Sequence, residues 1–541
     1  MNRQKLVLGV GAAGLIMVRL ALGQTGAPTN TVVRDWEPMP AKNPPPDRNK
    51  NYHAAVAQGP HAKVVAATFF GSKDHEAFFG GGELPDGSLV VFGNAWGPSF
   101  PESPQPVLLG KGRRQGSSPT KPSAKGGKAA LDMETPDRSA FVVLYAPGLS
   151  AVRKTIRFDW GVFGLSAGNV AADGKGLLLA GRGLAAFETL KDRCAAWQGA
   201  GTVCILRLSA DGGKIEWVWQ TDGALPDTLW QDKEGNVYFD AGGLKKISAD
   251  GRQLSKLSDK TRAGASSWLL VDLDGSAYFG GDRNTKTGRE PWRQPFFYQY
   301  DPDGKKAWAC WEFNPRDVSS ARGGLESDSS VRGAARRPDG TLVVTGWSDG
   351  GNSVFQRCAT DWKKNCPDAP LGWSPWYPKG ANSYAHVMIF DPKKQETRMH
   401  LWWCGYLPMN FQGGPSYGNR TSFQSIRWVT SLADGAIAFT GNSGTGLIQT
   451  PNALWKNPGD GKKYGGETCV ILNRDLSGLL FSSYLPGIAD TRPIPTRRGL
   501  LVVGRSTGDD GQATPTPSPA VNAAQPFAGA TDAYAFYLEI P

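Results

Sequence analysis

Pro85-Asp86-Gly87-Ser88-Leu89-Val90-Val91-Phe92-Gly93 decides the reading of this chain. Asp-Gly ahead of an apolar run is a strong hairpin signal, because glycine accepts the positive φ that a tight two-residue turn requires. The run behind it is rich in β-branched and aromatic residues and ends on a small one, as a strand does. The frame returns as Asp173-Gly174 before Leu177-Leu178-Leu179, Glu234-Gly235 before Val237-Tyr238-Phe239, and Asp274-Gly275 before Ala277-Tyr278-Phe279. It returns again as Asp339-Gly340 before Leu342-Val343-Val344, as Asp434-Gly435 before Ile437-Ala438-Phe439, and in degenerate form as Arg498-Gly499 before Leu500-Leu501-Val502-Val503.

Around each turn lies a fuller unit. A strand A precedes the turn and a strand B follows it. A third strand, C, resembles Ala140-Phe141-Val142-Val143-Leu144-Tyr145, and a fourth, D, resembles Lys214-Ile215-Glu216-Trp217-Val218-Trp219-Gln220. Four antiparallel strands per repeat make the blade of a β-propeller, and fixed-frame repetition marks such arrays. The sequence therefore predicts an all-β fold, a seven-bladed β-propeller of four-stranded antiparallel blades spanning residues 62–541, with loop insertions at 94–138 and 347–384. The strand at Asp532–Leu538 has no D strand after it, and Lys63–Phe70 has no A, B or C strand before it. The N-terminal and C-terminal strands are expected to share one blade and so close the ring, removing edges open to aggregation.

Three stretches resemble the bacterial SBBP β-propeller repeat. They are Gly441-Asn442-Ser443 with Thr450-Pro451-Asn452 and Leu476 to Leu485, Ala66 to Ser72 with Asp74-His75-Glu76, and Pro519 to Tyr534. The resemblance covers the first, sixth and seventh blades. It implies an exported propeller and no shared catalytic residues.

The chain begins like an export signal. Arg3 and Lys5 precede an apolar stretch, Leu6 to Val18, that is too short to span a bilayer, and Ala21-Leu22-Gly23 offers small residues for cleavage. Residues 1–23 read as a signal peptide and 24–61 as a linker. Arg19 near the cleavage site leaves an uncleaved anchor open, and no further transmembrane span is expected. The expected location is secreted or periplasmic, in a Gram-negative-type envelope. Seven cysteines suit an oxidising compartment, and their proximity in sequence predicts disulfides Cys194–Cys204 and Cys358–Cys366. The five histidines, His53, His61, His75, His386 and His400, are scattered, and no zinc or haem spacing occurs, so neither a metal nor a cofactor is expected. No nucleic-acid partner is indicated. The net charge is +11, with a run of Lys and Arg free of acids between Gly110 and Leu131 that suits an anionic surface or polymer.

Most long connections fall between strands B and C or D and A, which places them on one face. The B–C set is 94–138, 182–201, 282–294, 347–384, 442–466 and 505–531. Loops on a rigid scaffold commonly carry function, and tryptophans at 362 and 376 within them suit sugar faces or protein hot spots. Strand A lines the channel. Seven residues ahead of each turn acid stand Phe79, Ser166, Asp227, Ser267, Arg332, Arg427 and Asp490, with Arg492 facing the same way. These positions form an expected polar ring, in which arginines would grip a carboxylate or sulfate and the acids would either share the ligand or pin neighbouring blades. The candidate ligand-binding residues are thus Arg332, Arg427, Asp227, Asp490, Arg492, Trp362 and Trp376.

Asp74-His75-Glu76 is the densest titratable cluster, but nothing completes a catalytic constellation around it, so no catalytic residue is assigned. The expected function is a binding or scaffold propeller for an extracellular ligand or partner, an anionic polysaccharide or a cell-envelope protein. The alternative is a carbohydrate-active lyase or hydrolase on an acidic polysaccharide, with Asp74, His75 or Tyr384 moving the proton.

Overall fold

The computed structural model describes residues 60–541 except 73, 98–99, 102, 113–137, 261–265, 287–290, 321–324, 350–352, 366–370, 373–383, 404–423, 444–446, 448, 456–465, 507–519 and 526–530. The predicted export signal, Trp376 and all of the basic run beyond Gly112 lie outside the described residues. Among those described, no helix is long and apolar enough to cross a membrane.

The chain is all-β, a propeller-like arrangement of small antiparallel sheets. Most of these sheets are meanders in which the strand ahead of the Asp-Gly turn starts the strand order. Gln424–Ser431, Ile437–Ser443, Gly466–Leu472 and Leu479–Tyr484 form one, in that order. Ser267–Val271, Ala277–Lys286, Pro291–Tyr300 and Lys306–Cys310 form another, and Trp230–Gln231, Val237–Asp240, Leu244–Ile247 and Leu254–Lys256 a shorter third. A five-stranded sheet is built on Ser329–Arg336, Leu342–Ser348, Tyr384–Asp391 and Glu396–Trp403. The largest sheet, of ten strands, consists of two such meanders, beginning with Glu76–Glu83 and Phe163–Val170 and joined at the single pair Gly81–Asn169. A side chain is impossible at that seam, since a Cβ on Gly80 would lie 2.2 Å from the Gly168 carbonyl oxygen.

The ends of the chain meet as expected. Lys63–Phe70 pairs antiparallel with Ala533–Glu539, from Lys63 opposite Glu539 to Phe70 opposite Ala533. Gly499–Ser506 and Ile488–Pro495 complete that sheet inward. Phe69 packs on Tyr534 with ring centroids 5.0 Å apart, and both are buried. The cores lie between sheets: Val90, Phe92 and Val142 of one meander share a cluster with Leu177, Leu179 and Leu206 of the next.

The repeated turn is one residue longer than a two-residue hairpin. Leu84 N–H donates to the Ser88 carbonyl and Gly87 N–H to the Leu84 carbonyl, both at 2.9 Å, with Gly87 at φ 86°. This is a three-residue loop closed by a left-handed glycine. Its aspartate has a defined task. Asp86 accepts from Ser88 N–H, Asp274 from Ser276, Asp339 from Thr341 and Asp434 from Ala436, at 2.8–3.0 Å. That bond to the backbone amide, ahead of every other cause, holds the Asp86 carboxyl below the usual range.

The long insertions do not behave as free loops on one face. Residues 282–294 extend the hairpin instead, with pairing continuing out to Lys286 opposite Pro291. The described parts of the others fold over the outer edges of their own sheets. Pro106–Leu109 adds in parallel outside Val152–Phe158, Trp197–Gly199 outside Ile215–Thr221, and Leu371–Gly372 outside Glu396–Trp403. Thr450 N–H donates to Ser482, and Val521 exchanges hydrogen bonds with Ala67. An uncovered edge presents unpaired N–H and C=O groups, so these additions satisfy a backbone demand.

The same arrangement corrects the predicted Cys194–Cys204 disulfide, since both thiols are free. Cys204 belongs to Val203–Ser209, which pairs along one edge of Ile215–Thr221, whereas Cys194 bridges to Ile215 on the other edge. Two strand spacings, about 9–10 Å, separate them, beyond the reach of a disulfide. Cys358 is free, and its predicted partner Cys366 lies outside the described residues.

Candidate functional site

The inner strands share one irregularity. Register shifts fall between Phe78 and Gly80, Leu165 and Ala167, Trp268 and Leu270, Val331 and Gly333, Ile426 and Trp428, and Ala489 and Arg492. These are β-bulges, which leave an extra residue unpaired and re-aim its side chain. The extra residues include Phe79, Ser166, Arg332, Arg427 and Asp490, so the polar ring expected from spacing is a ring of bulge residues. Leu269 replaces Ser267, which pairs regularly with Gly280. Asp227 stands ahead of the short strand Trp230–Gln231.

Most of the ring's charges are committed to one another. Arg427 pairs with Asp490 at 3.2 Å and with buried Glu467 at 3.7 Å, tying two neighbouring sheets. Asp490 also receives Arg505 at 2.9 Å and adopts φ 57°, a left-handed conformation that costs a non-glycine residue energy. Thr491 donates to Glu467 through its amide, at 3.1 Å, and its hydroxyl. Burial nonetheless pushes the Glu467 carboxyl up, with Arg427 opposing the shift.

Arg492 reaches further. Its guanidinium donates to the Asp227 carbonyl at 2.8 Å and lies 4.4 Å from the centroid of Trp428. Trp428 is in the adjacent sheet, whereas Asp227 leads the separate sheet of Trp230–Gln231, so the Arg492 side chain links three sheets.

Arg332 differs. Its side chain is 35 % exposed, and its ion partner Asp282 is 4.0 Å away. Its guanidinium makes no hydrogen bond among the described residues. Trp347 holds it, with guanidinium carbons of Arg332 and Arg293 at 5.8 and 5.0 Å from the ring centroid. Burial, with Arg293 adding to it, pulls the Arg332 pKa down while Asp282 opposes. Nearby Asp349 is pushed up to about 6 by burial and by Asp328. Spacing from the turn could not disclose Arg293 as a partner, because it comes from the neighbouring sheet, nor Trp347, which stands on the strand paired with that of Arg332.

The remaining candidates are held by packing and hydrogen bonds where described. Trp362 is half-buried against the aromatic core around Trp311, with Lys363 over its ring. Glu76 is buried and accepts from the Ser72 hydroxyl at 2.7 Å. Burial, opposed by Ser72, raises its pKa to about 8. His75 is bridged to Thr531, and burial lowers its pKa.

Sequence reasoning also missed a cavity at the opposite end of the channel, on the short-turn face. It measures about 820 Å³ and is walled by Leu84, Val170, Leu273, Pro338, Leu432 and Ile494.

No family model matches the chain, and no curated protein matches it. Among solved structures, a protein of unknown function from Dyadobacter fermentans is similar at 13 % identity and TM-score 0.35, over 89 % of this chain and all of that one. The WD40 β-propeller domain of Doa1 is similar at 11 % identity and TM-score 0.37, over 82 % and 94 %. BamB from Moraxella catarrhalis is similar at 10 % identity and TM-score 0.34, over 88 % and 100 %. The β-propeller architecture rests on the strand pairing above.

Proposed function

We propose that the chain is an exported, seven-bladed β-propeller of the SBBP-repeat type that works as a binding or scaffold protein, with its ligand held at the mouth of the channel. Taking the two meanders of the ten-stranded sheet separately supports the count of seven. The apolar stretch near the N-terminus supports export to the periplasm or the exterior.

One observation carries the binding reading. Arg332 keeps its hydrogen-bond donors open toward the channel, whereas Arg427 and Arg492 spend theirs on neighbouring sheets. A guanidinium offers a planar fork of donors suited to a carboxylate or sulfate, which makes an anionic polysaccharide or an acidic segment of an envelope protein the fitting ligand.

The test is titration of polygalacturonate and heparin onto the protein and its single variants at two salt concentrations. Arg332→Ala is expected to weaken binding at least tenfold with an unchanged melting temperature. Arg427→Ala is expected to lower stability by about 1–2 kcal/mol, discounted for its partial exposure, and to leave affinity largely intact. Undiminished binding by Arg332→Ala would overturn the reading.

A further inference from the structure

The cavity on the short-turn face is not a closed bowl. A groove of about 430 Å³ runs into it between two neighbouring sheets, sharing the walls at Leu432, Ala433, Thr496 and Arg497. The groove extends outward to Glu539, Ile540 and Pro541. Glu539 is the residue opposite Lys63, at the start of the closing strand. Just before it, Ala62 N–H donates to the Leu480 carbonyl at 2.8 Å, and its carbonyl accepts from Asn452. The chain therefore enters the fold at the outer end of a trench that leads to the axial cavity.

The cavity is built for an apolar guest. Its walls are mainly aliphatic and proline side chains, and Leu273 on its lining is 46 % exposed, one of two large hydrophobic residues so exposed among those described. Its charged residues are largely paired: Arg336 with Asp272 at 2.5 Å, Arg497 with Glu83 at 2.9 Å and Asp173 with Arg207 at 2.6 Å. Arg498, in the groove, forms no ion pair among the described residues.

From these observations we infer that this trench is a peptide-docking site whose occupant is the chain's own segment Val32-Val33-Arg34-Asp35-Trp36-Glu37-Pro38-Met39-Pro40. The segment lies within the 59 residues ahead of the first described one and holds the only tryptophan among them. It matches the site in kind, with Trp36 to fill the apolar cavity over Leu273 and flanking carboxylates at Asp35 and Glu37 to meet Arg498. The tether is long enough. The path from the outer strand to the axis crosses about three strand spacings, roughly 15 Å. The roughly 20 residues between Pro40 and residue 60 span about 25 Å as a coil. Tethering raises the effective concentration, so a weak contact suffices to fill the site. This face is distinct from the Arg332 mouth, and the inference stands or falls independently of anion binding.

The experiment uses the full chain, its Trp36→Ala variant and a synthetic peptide of residues 30–42. The unmodified chain is expected to bind the peptide at least tenfold more weakly than Trp36→Ala, because the tethered copy competes. Amides around Leu432–Asp434 and Thr496–Gly499 should exchange faster in Trp36→Ala. Ala433 is exposed, so adding Ala433→Arg to Trp36→Ala should abolish peptide binding without lowering the melting temperature. Equal peptide affinity for the two chains would overturn occupancy by the chain itself and mark the cavity for another protein's segment. Absence of binding to Trp36→Ala would overturn the docking site altogether.

Discussion

The outer strands of this propeller fall into two groups. Ile215–Thr221 is sealed along its length: Trp197–Gly199 adds in parallel, Ala195 N–H donates to the Ile215 carbonyl, and the Trp197 ring packs on Phe187 with centroids 5.1 Å apart. Leu254–Lys256 and Lys306–Cys310 carry no added strand among the described residues. The bare edges are short and lysine-tipped, a second way to discourage pairing with another chain. The difference teaches that the insertions serve sheet edges first. Length between strands B and C is what allows the chain to travel from the top of a blade to its outer side, which explains why most of the insertions fall in that connection.

The strongest way to break the comparison is to remove a seal that is also a closure. Deleting residues 533–541 strips Lys63–Phe70 of its pairing partner. That chain is expected not to fold, and to lack a cooperative melting transition by circular dichroism. A smaller effect is expected from Trp197→Ala. It removes the ring contact with Phe187 and the N–H bond to Gln220, and should cost about 2–3 kcal/mol in urea unfolding.

A pH effect of comparable size is expected at Glu76, which opens the inner strand of the ten-stranded sheet and accepts from Ser72 just beyond the closing strand. Its carboxyl titrates near 4.5 when unfolded and at about 8 in the fold. A raised carboxyl pKa gives stability that is full below pH 4.5 and declines as pH rises to about 8. Glu76→Gln is expected to flatten that decline, which amounts to about 4 kcal/mol, in melts between pH 5 and 9. A parallel slope in both proteins would count against it. The smallest effect is local: outward amides of Lys306–Cys310 should exchange faster than those of Ile215–Thr221, and equal protection would dissolve the distinction between sealed and bare edges.

What the sequence disclosed follows from how local each signal is. The turn repeat was legible because Asp86 and Gly87 act within their own loop. The channel ring was legible because each bulge stands at a fixed distance from its turn, so Arg332, Arg427 and Asp490 were found together. Ser267 was misplaced since the bulge there falls at Leu269. The edge strands were not legible, because three residues such as Trp197–Gly199 show no alternation and their pairing depends on distant register. The cysteine pairing misled for the same reason: closeness along the chain says nothing of the strand that runs between Cys194 and Cys204.

Closure by the two ends is the central claim, and native residues can test it. Lys63 and Glu539 lie opposite each other in the closing sheet, within reach of a zero-length carbodiimide bond. Lys306 and Glu312, 3.4 Å apart, provide an internal control. Peptide mapping of the cross-linked monomer should yield a Lys63–Glu539 isopeptide alongside the control pair. A monomer that shows Lys306–Glu312 but no Lys63–Glu539 link would contradict a ring closed by its own termini.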